Sequence, residues 1–141
     1  MSVAVAHEIN KASDVVLAAA VTEAALRQTT LVVLHVVTSK DLDSEEALRQ
    51  GIGDLVATAV AGQGEGDLQW EVRVEASDGS SIEDTAAAIL DAAERAGAEL
   101  LVIGARRRSP VGKAFLGSVT QDVLLDSPVP VLVVKGDGSK D

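Results

Sequence analysis

Four short apolar runs, at residues 2–6, 31–37, 100–104 and 129–134, are rich in Val, Leu and Ile and are bounded by polar or turn residues. Runs of that length that stay apolar at successive positions suit strands covered on both faces, the condition of a parallel sheet. Between the runs the apolar spacing becomes helical. On 12–28 the apolar face reads Val15, Val16, Ala19, Ala20 and Leu26, and on 44–61 it reads Leu48, Ile52, Leu55, Val56 and Ala59. On 82–97 it reads Ile82, Ala86, Ile89, Leu90 and Ala93. A fifth strand is expected at 68–76, where Leu68, Trp70, Val72, Val74 and Ala76 alternate with Gln69, Glu71, Arg73 and Glu75. Half-polar alternation places it at a sheet edge. The order βαβαβαβαβ predicts an α/β fold, an open five-stranded parallel sheet with helices on both faces.

The 141 residues are one domain's worth, and no internal repeat or linker divides them. Gly62 to Gly66 reads as a flexible connection and Gly136 to Asp141 as a fraying polar tail. The last strand, Val129 to Val134, is apolar on both faces with no later element to cover it, so pairing with another subunit is expected there. A net charge of −10 argues against nucleic acid and acidic membranes as partners. One Trp, one Phe and no Tyr leave few platforms for stacking bases. No apolar run approaches the ~20 residues of a membrane span, and the chain enters its first strand without a leader-like segment, so a cytoplasmic location is expected. The absence of cysteine excludes disulfides and thiol chemistry.

The segment Gly104 to Ser118 carries the chemistry. Leu100 to Ile103 runs apolar into Gly104; a basic loop with Arg106, Arg107, Arg108 and Lys113 follows, and Gly117-Ser118 opens a helical segment. A helix N-terminus presents unpaired N–H groups and the positive end of its dipole, so strand, glycine, loop, glycine, helix is an order suited to phosphate. Gly117 would let an anion approach the backbone, and Ser118 would cap the helix or bind a phosphate oxygen. The plainer alternative is a strand end, a turn and a cap. Arginines in the loop would pair with phosphate or simply be solvated. A Walker A loop is excluded, since Arg107 stands where its glycine belongs and Ala114 follows Gly112-Lys113. A dinucleotide fingerprint is excluded because the first turn, His7-Glu8-Ile9-Asn10-Lys11, has no glycine. No zinc, calcium or Cys-x-x-Cys pattern appears, so any Mg²⁺ is expected to arrive on nucleotide phosphates.

With these residues the chain resembles the universal stress protein family over essentially its whole length. Nucleotide-binding members carry G-x-x-G, nine residues, then G-[ST]; here Gly104-Ala105-Arg106-Arg107 is followed by nine residues and Gly117-Ser118. Arg107 takes the place of the second glycine. The resemblance implies strand order 3-2-1-4-5 and an ATP or ADP site. Counting back from Leu17 and Ser13 puts Glu8 where the family has an Asp facing adenine and ribose, and Val37 fits the position after strand two whose backbone contacts adenine. Ser118 matches the phosphate-contacting hydroxyl.

Glu8 has a second reading, as a carboxylate that complements a helix dipole. His7, at the end of strand one, and His35, within strand two, read foremost as core histidines with satisfied hydrogen bonds. No activated nucleophile or water-positioning base is visible, which leaves at most slow hydrolysis. The expected protein is a regulatory nucleotide-binding module that dimerises through Val131 to Val134; the alternative is a dimeric interaction protein of the same fold that binds no nucleotide.

Overall fold

The structure, a computed structural model, describes residues 1–7, 13–38, 44–105, 107–108 and 114–135. Strands β1 (Ser2–Ala6), β2 (Thr30–Thr38), β3 (Trp70–Ser77) and β4 (Ala98–Gly104) alternate with helices α1 (Ser13–Leu26), α2 (Glu45–Gly62) and α3 (Ile82–Arg95). Two two-residue strands follow, β5 (Arg107–Arg108) and β6 (Ala114–Phe115), then α4 (Ser118–Asp126) and β7 (Val131–Val134). The main sheet has five strands in the order β3-β2-β1-β4-β7, every pairing parallel, so its strands taken in chain order run 3-2-1-4-5. The expected α/β architecture is present.

Successive strand residues face opposite sides, and the two sides build separate cores. Val3 and Val5 of β1 join Leu31, Val33, Leu100 and Val102 beneath α1 and α2. Ala4 and Ala6 join Val32, Leu34, Leu101 and Ile103 beneath α3 and α4. This double burial is why the central strands carry no polar alternation. The half-polar strand β3 lies at one edge, where Arg73 pairs with Glu71 at 3.0 Å and Glu75 takes Arg95 of α3 at 2.7 Å. At the other edge β7 is covered better than its place last in the sequence implied. Leu132 and Val134 pack on the α1/α2 core while Val131 and Val133 pack on the α3/α4 core.

Three expected core residues stand outside it. Leu26 is 73% exposed, Ile82 43% and Leu55 37%. The buried stripe of α1 is Val16, Leu17, Ala20, Val21 and Ala24, and Leu26 falls about 200° round the helix from Ala24. Ile82 is the first residue of α3, ahead of its packed face, just after the N-cap Ser81, whose hydroxyl accepts from Asp84 N at 3.0 Å. In α2 the stripe is instead Ile52, Val56 and Val60. The expected flexible connection at Gly62 to Gly66 begins as an ordered helix stop. Gly64 adopts φ +72°, which lets its N–H reach Ala61 O at 3.1 Å and that of Glu65 reach Val60 O at 3.0 Å. The tail from Gly136 lies outside the described residues.

Leu101→Ala, in the middle of β4, should lower unfolding free energy by about 3 kcal/mol in chemical denaturation. Leu26→Ala should change it by less than about 0.5 kcal/mol.

Candidate functional site

In a doubly wound sheet the crevice for a ligand opens beyond the carboxyl ends of the strands, where the connections diverge to opposite sides. Here that point lies between β1 and β4, whose last paired residues are Ala6 and Ile103. One step further on stand His7 and Gly104.

Gly104 is held from three sides. A Cβ on it would lie 3.0 Å from Val16 Cγ2, so its lack of a side chain lets α1 close against the end of β4. Its carbonyl accepts from Thr120 Oγ1 at 3.0 Å, and the next amide, Ala105 N, donates to Val134 O at 2.9 Å. Thr120, on the buried side of α4, therefore ties the start of the basic loop to the helix that ends it. No sequence motif announced this bond; the available signal was a hydroxyl three residues before the buried Val123, on the core-facing side of a short helix.

The N-cap of α4 is Gly117, with φ −72° and ψ 165°, and no side chain caps it. Ser118 is the first helical residue and is exposed, so the expectation that its hydroxyl caps the helix is corrected. Gln121 N donates to Gly117 O at 3.0 Å, and Gln121 Nε2 donates to Leu116 O at 3.1 Å, which fixes the entry of the chain into α4. Among the described residues no side chain partners the first-turn amides of the helix, which is the arrangement that favours an anion.

The basic loop contains a ladder that periodicity did not reveal, because two-residue strands carry too few positions to show one. Arg107 pairs with Phe115 and Arg108 with Ala114, antiparallel. Extended backbone of this kind is open to any residue, so the main chain at position 107 does not need the motif's glycine. Among the described residues the non-glycine with positive φ is Gln28, after α1. Val37 lies inside β2, one residue before its end, opposite Ala76 of β3, rather than after the strand. Glu8 and Arg106 lie outside the described residues, as does Lys113.

His7 is buried, 5% exposed, at the end of β1. Its N–H donates to Leu34 O at 2.8 Å, and its ring lies 5.8 Å from that of His35. His35 Nδ1 is 3.2 Å from His7 O; a carbonyl only accepts, so Nδ1 carries the proton. The expectation of a satisfied histidine holds for His35 and is corrected for His7, whose Nε2 is buried with no hydrogen-bond partner among the described residues. Burial, and secondarily the charge of His35, push the His7 pKa down to about 4 against an opposing pull from Asp14. Among the described residues no three His, Cys, Asp or Glu side chains are grouped to hold a metal ion, and no helix is long and apolar enough to cross a membrane.

Residues 1–135 match the sequence model of the universal stress protein family. The chain belongs to that family. A universal stress protein of Mycolicibacterium smegmatis is 41% identical over 109 residues, which cover 67% of this chain and 84% of that one. The structure of a universal stress protein from Archaeoglobus fulgidus superposes with a TM-score of 0.72 at 28% identity, covering 96% of this chain and 98% of that one. The structure of the universal stress protein from the same organism in complex with dAMP gives a TM-score of 0.67 at 27% identity, with coverage of 96% and 98%.

The buried His7 makes stability depend on acid. Above pH 6.5 the imidazole is neutral folded and unfolded; between pH 6.5 and about 4 the unfolded chain takes up a proton that the folded chain refuses, so stability falls as pH falls. Denaturant titrations across that range should show the slope reduced in His7→Gln, by as much as about one proton.

Proposed function

We propose that this universal stress protein binds an adenine nucleotide, ATP or ADP, over the loop between β4 and α4 and acts as a regulatory module. The observation that carries this is the uncapped N-terminus of α4, held next to the end of β4 by the bond from Thr120 to Gly104. Such an end supplies N–H donors and a positive dipole with no side chain competing for the anion. The relative from Archaeoglobus fulgidus in complex with dAMP adds support from within the family. In this arrangement Gly117 and Ser118 meet the phosphates, Arg106 and Arg107 neutralise them, Glu8 and the backbone of Val37 meet the ribose and adenine, and Mg²⁺ arrives with the phosphates.

A second function, a dimeric interaction protein that binds no nucleotide, is favoured by one observation. Gly104 is explained by its contact with Val16 alone, whether or not a phosphate binds. Calorimetric titration separates the two. The parent protein should bind ADP or ATP, and Gly117→Val should weaken binding by about tenfold or more by filling the space next to the phosphates. The backbone angles of Gly117 are open to valine, so a lost affinity would not report backbone strain. Absence of binding to the parent at millimolar nucleotide would favour the interaction protein, and equal affinity in Gly117→Val would place the ligand elsewhere.

We propose also that two copies pair through Val131 to Val134. The carbonyls of Pro130 and Val134 accept from Leu101 and Ala105, so the alternate residues Val131 and Val133 direct their main-chain groups away from β4. That edge is apolar, and antiparallel pairing about a two-fold axis would satisfy it symmetrically. Val133→Pro removes an outward N–H and leaves the bonds to β4 in place. Sedimentation should show a dimeric parent and a monomeric variant with native circular dichroism; a monomeric parent at high micromolar concentration would remove the strand as an interface.

A further inference from the structure

On the α3/α4 side of the sheet, these two helices leave between them a groove of about 330 Å³. Its apolar lining is the buried Ala86 and the half-buried Leu90, with the exposed Ala87 and Pro128 beside them. Its walls are acidic, with Glu83, Asp91 and Glu94 from α3 facing Asp122 and Asp126 from α4. Five carboxylates thus stand together around one groove, and none of them is in an ion pair among the described residues, in contrast to the acids that hold the surface arginines. Glu23 and Glu99 share Arg27, Glu45 and Glu46 share Arg49, Glu71 takes Arg73 and Glu75 takes Arg95. Each arginine whose side chain is described is thus committed elsewhere, and no ion pair among the described residues reaches the groove. Arg95, next in sequence to Glu94, turns to β3.

We propose that this groove docks a cationic amphipathic helix of a partner protein. Shape and spacing select that occupant. Glu83 and Glu94 lie eleven residues apart on one helix, roughly 16 Å along its axis, which is a track for a row of cations rather than a cage for one ion. Glu83, Ala87 and Asp91 follow each other at i+4, as do Ala86, Leu90 and Glu94, so each of two adjacent rows of the groove carries both acidic and apolar side chains. Lys and Arg lay their methylene stems on apolar surface while their charged ends reach carboxylates, and the small side chains of Ala86 and Ala87 in the lining admit a helix closely. A second copy of this chain is the poorer fit, since each carries a net charge of −10.

The probe is a synthetic peptide of about 18 residues, long enough to be helical alone, with a leucine and alanine stripe flanked by lysines at i, i+4. It is titrated into the full chain without nucleotide, so the outcome is independent of the nucleotide site. Binding should weaken by about tenfold in Asp91→Asn/Asp122→Asn and with rising salt. A shuffled peptide of the same composition should bind several-fold less tightly, because it keeps the charge and loses the stripe. Absence of binding, equal binding of the shuffled peptide, or equal affinity of the double variant would each overturn the proposal. So would a change in sedimenting mass of the double variant, which would give the groove to a second copy.

Discussion

The burial of β1 on both faces is the constraint on which the rest of the molecule depends. A strand whose alternate residues enter two separate cores needs helices on both sides of the sheet, and parallel neighbours need crossover connections to supply them. Each fully buried Val or Leu contributes about 1.5–3 kcal/mol, so a one-residue slip that exchanged the faces would disturb both cores together. Small residues tune the fit. Ala4 and Ala6 leave room on the α3/α4 side, whereas Val3 and Val5 fill the α1/α2 side.

That same arrangement creates the crevice at the strand ends. The connection from β1 leads to one side of the sheet through α1 and the connection from β4 leads to the other through α4, so His7 and Gly104 meet where packing cover divides. The short β5/β6 ladder gives the basic loop part of its own backbone pairing, while the bond from Thr120 closes its base. Between these ties no side chain among the described residues caps the amides of α4. The Nε2 of His7 beside this crevice, without a partner among the described residues, is a polar atom the fold tolerates by keeping the ring neutral.

Charge is distributed by the same logic of commitment and vacancy. Surface arginines are spent on nearby carboxylates, pairs worth little individually, yet they leave the α3/α4 groove as a line of uncompensated acid. Nothing in the order of Glu83, Asp91 and Asp122 along the chain distinguishes them from paired acids; the packing of α3 against α4 does.

The local record of the chain determined the four helices, the five strands of a parallel sheet and the half-polar strand at one edge. The strand order came with the family resemblance, and the two-residue β5/β6 ladder left no periodic signal. A strand covered on both faces must be apolar at every position, and a strand covered on one must alternate, so 31–37 and 68–76 could be told apart without coordinates. The stretch from Gly104 to Ser118 was legible as strand end, loop and helix start for the same reason. Tertiary structure decided what depends on residues distant in sequence. It placed helices over both faces of β7, left Leu26 outside a stripe that ends with Ala24, and gave Gly104 a packing partner in Val16. It joined Thr120 to Gly104 and set around one groove five carboxylates that have no ion pair among the described residues. Periodicity reports which face of an element is apolar, but which neighbour meets that face, and which polar group finds a partner, is settled only when the elements pack.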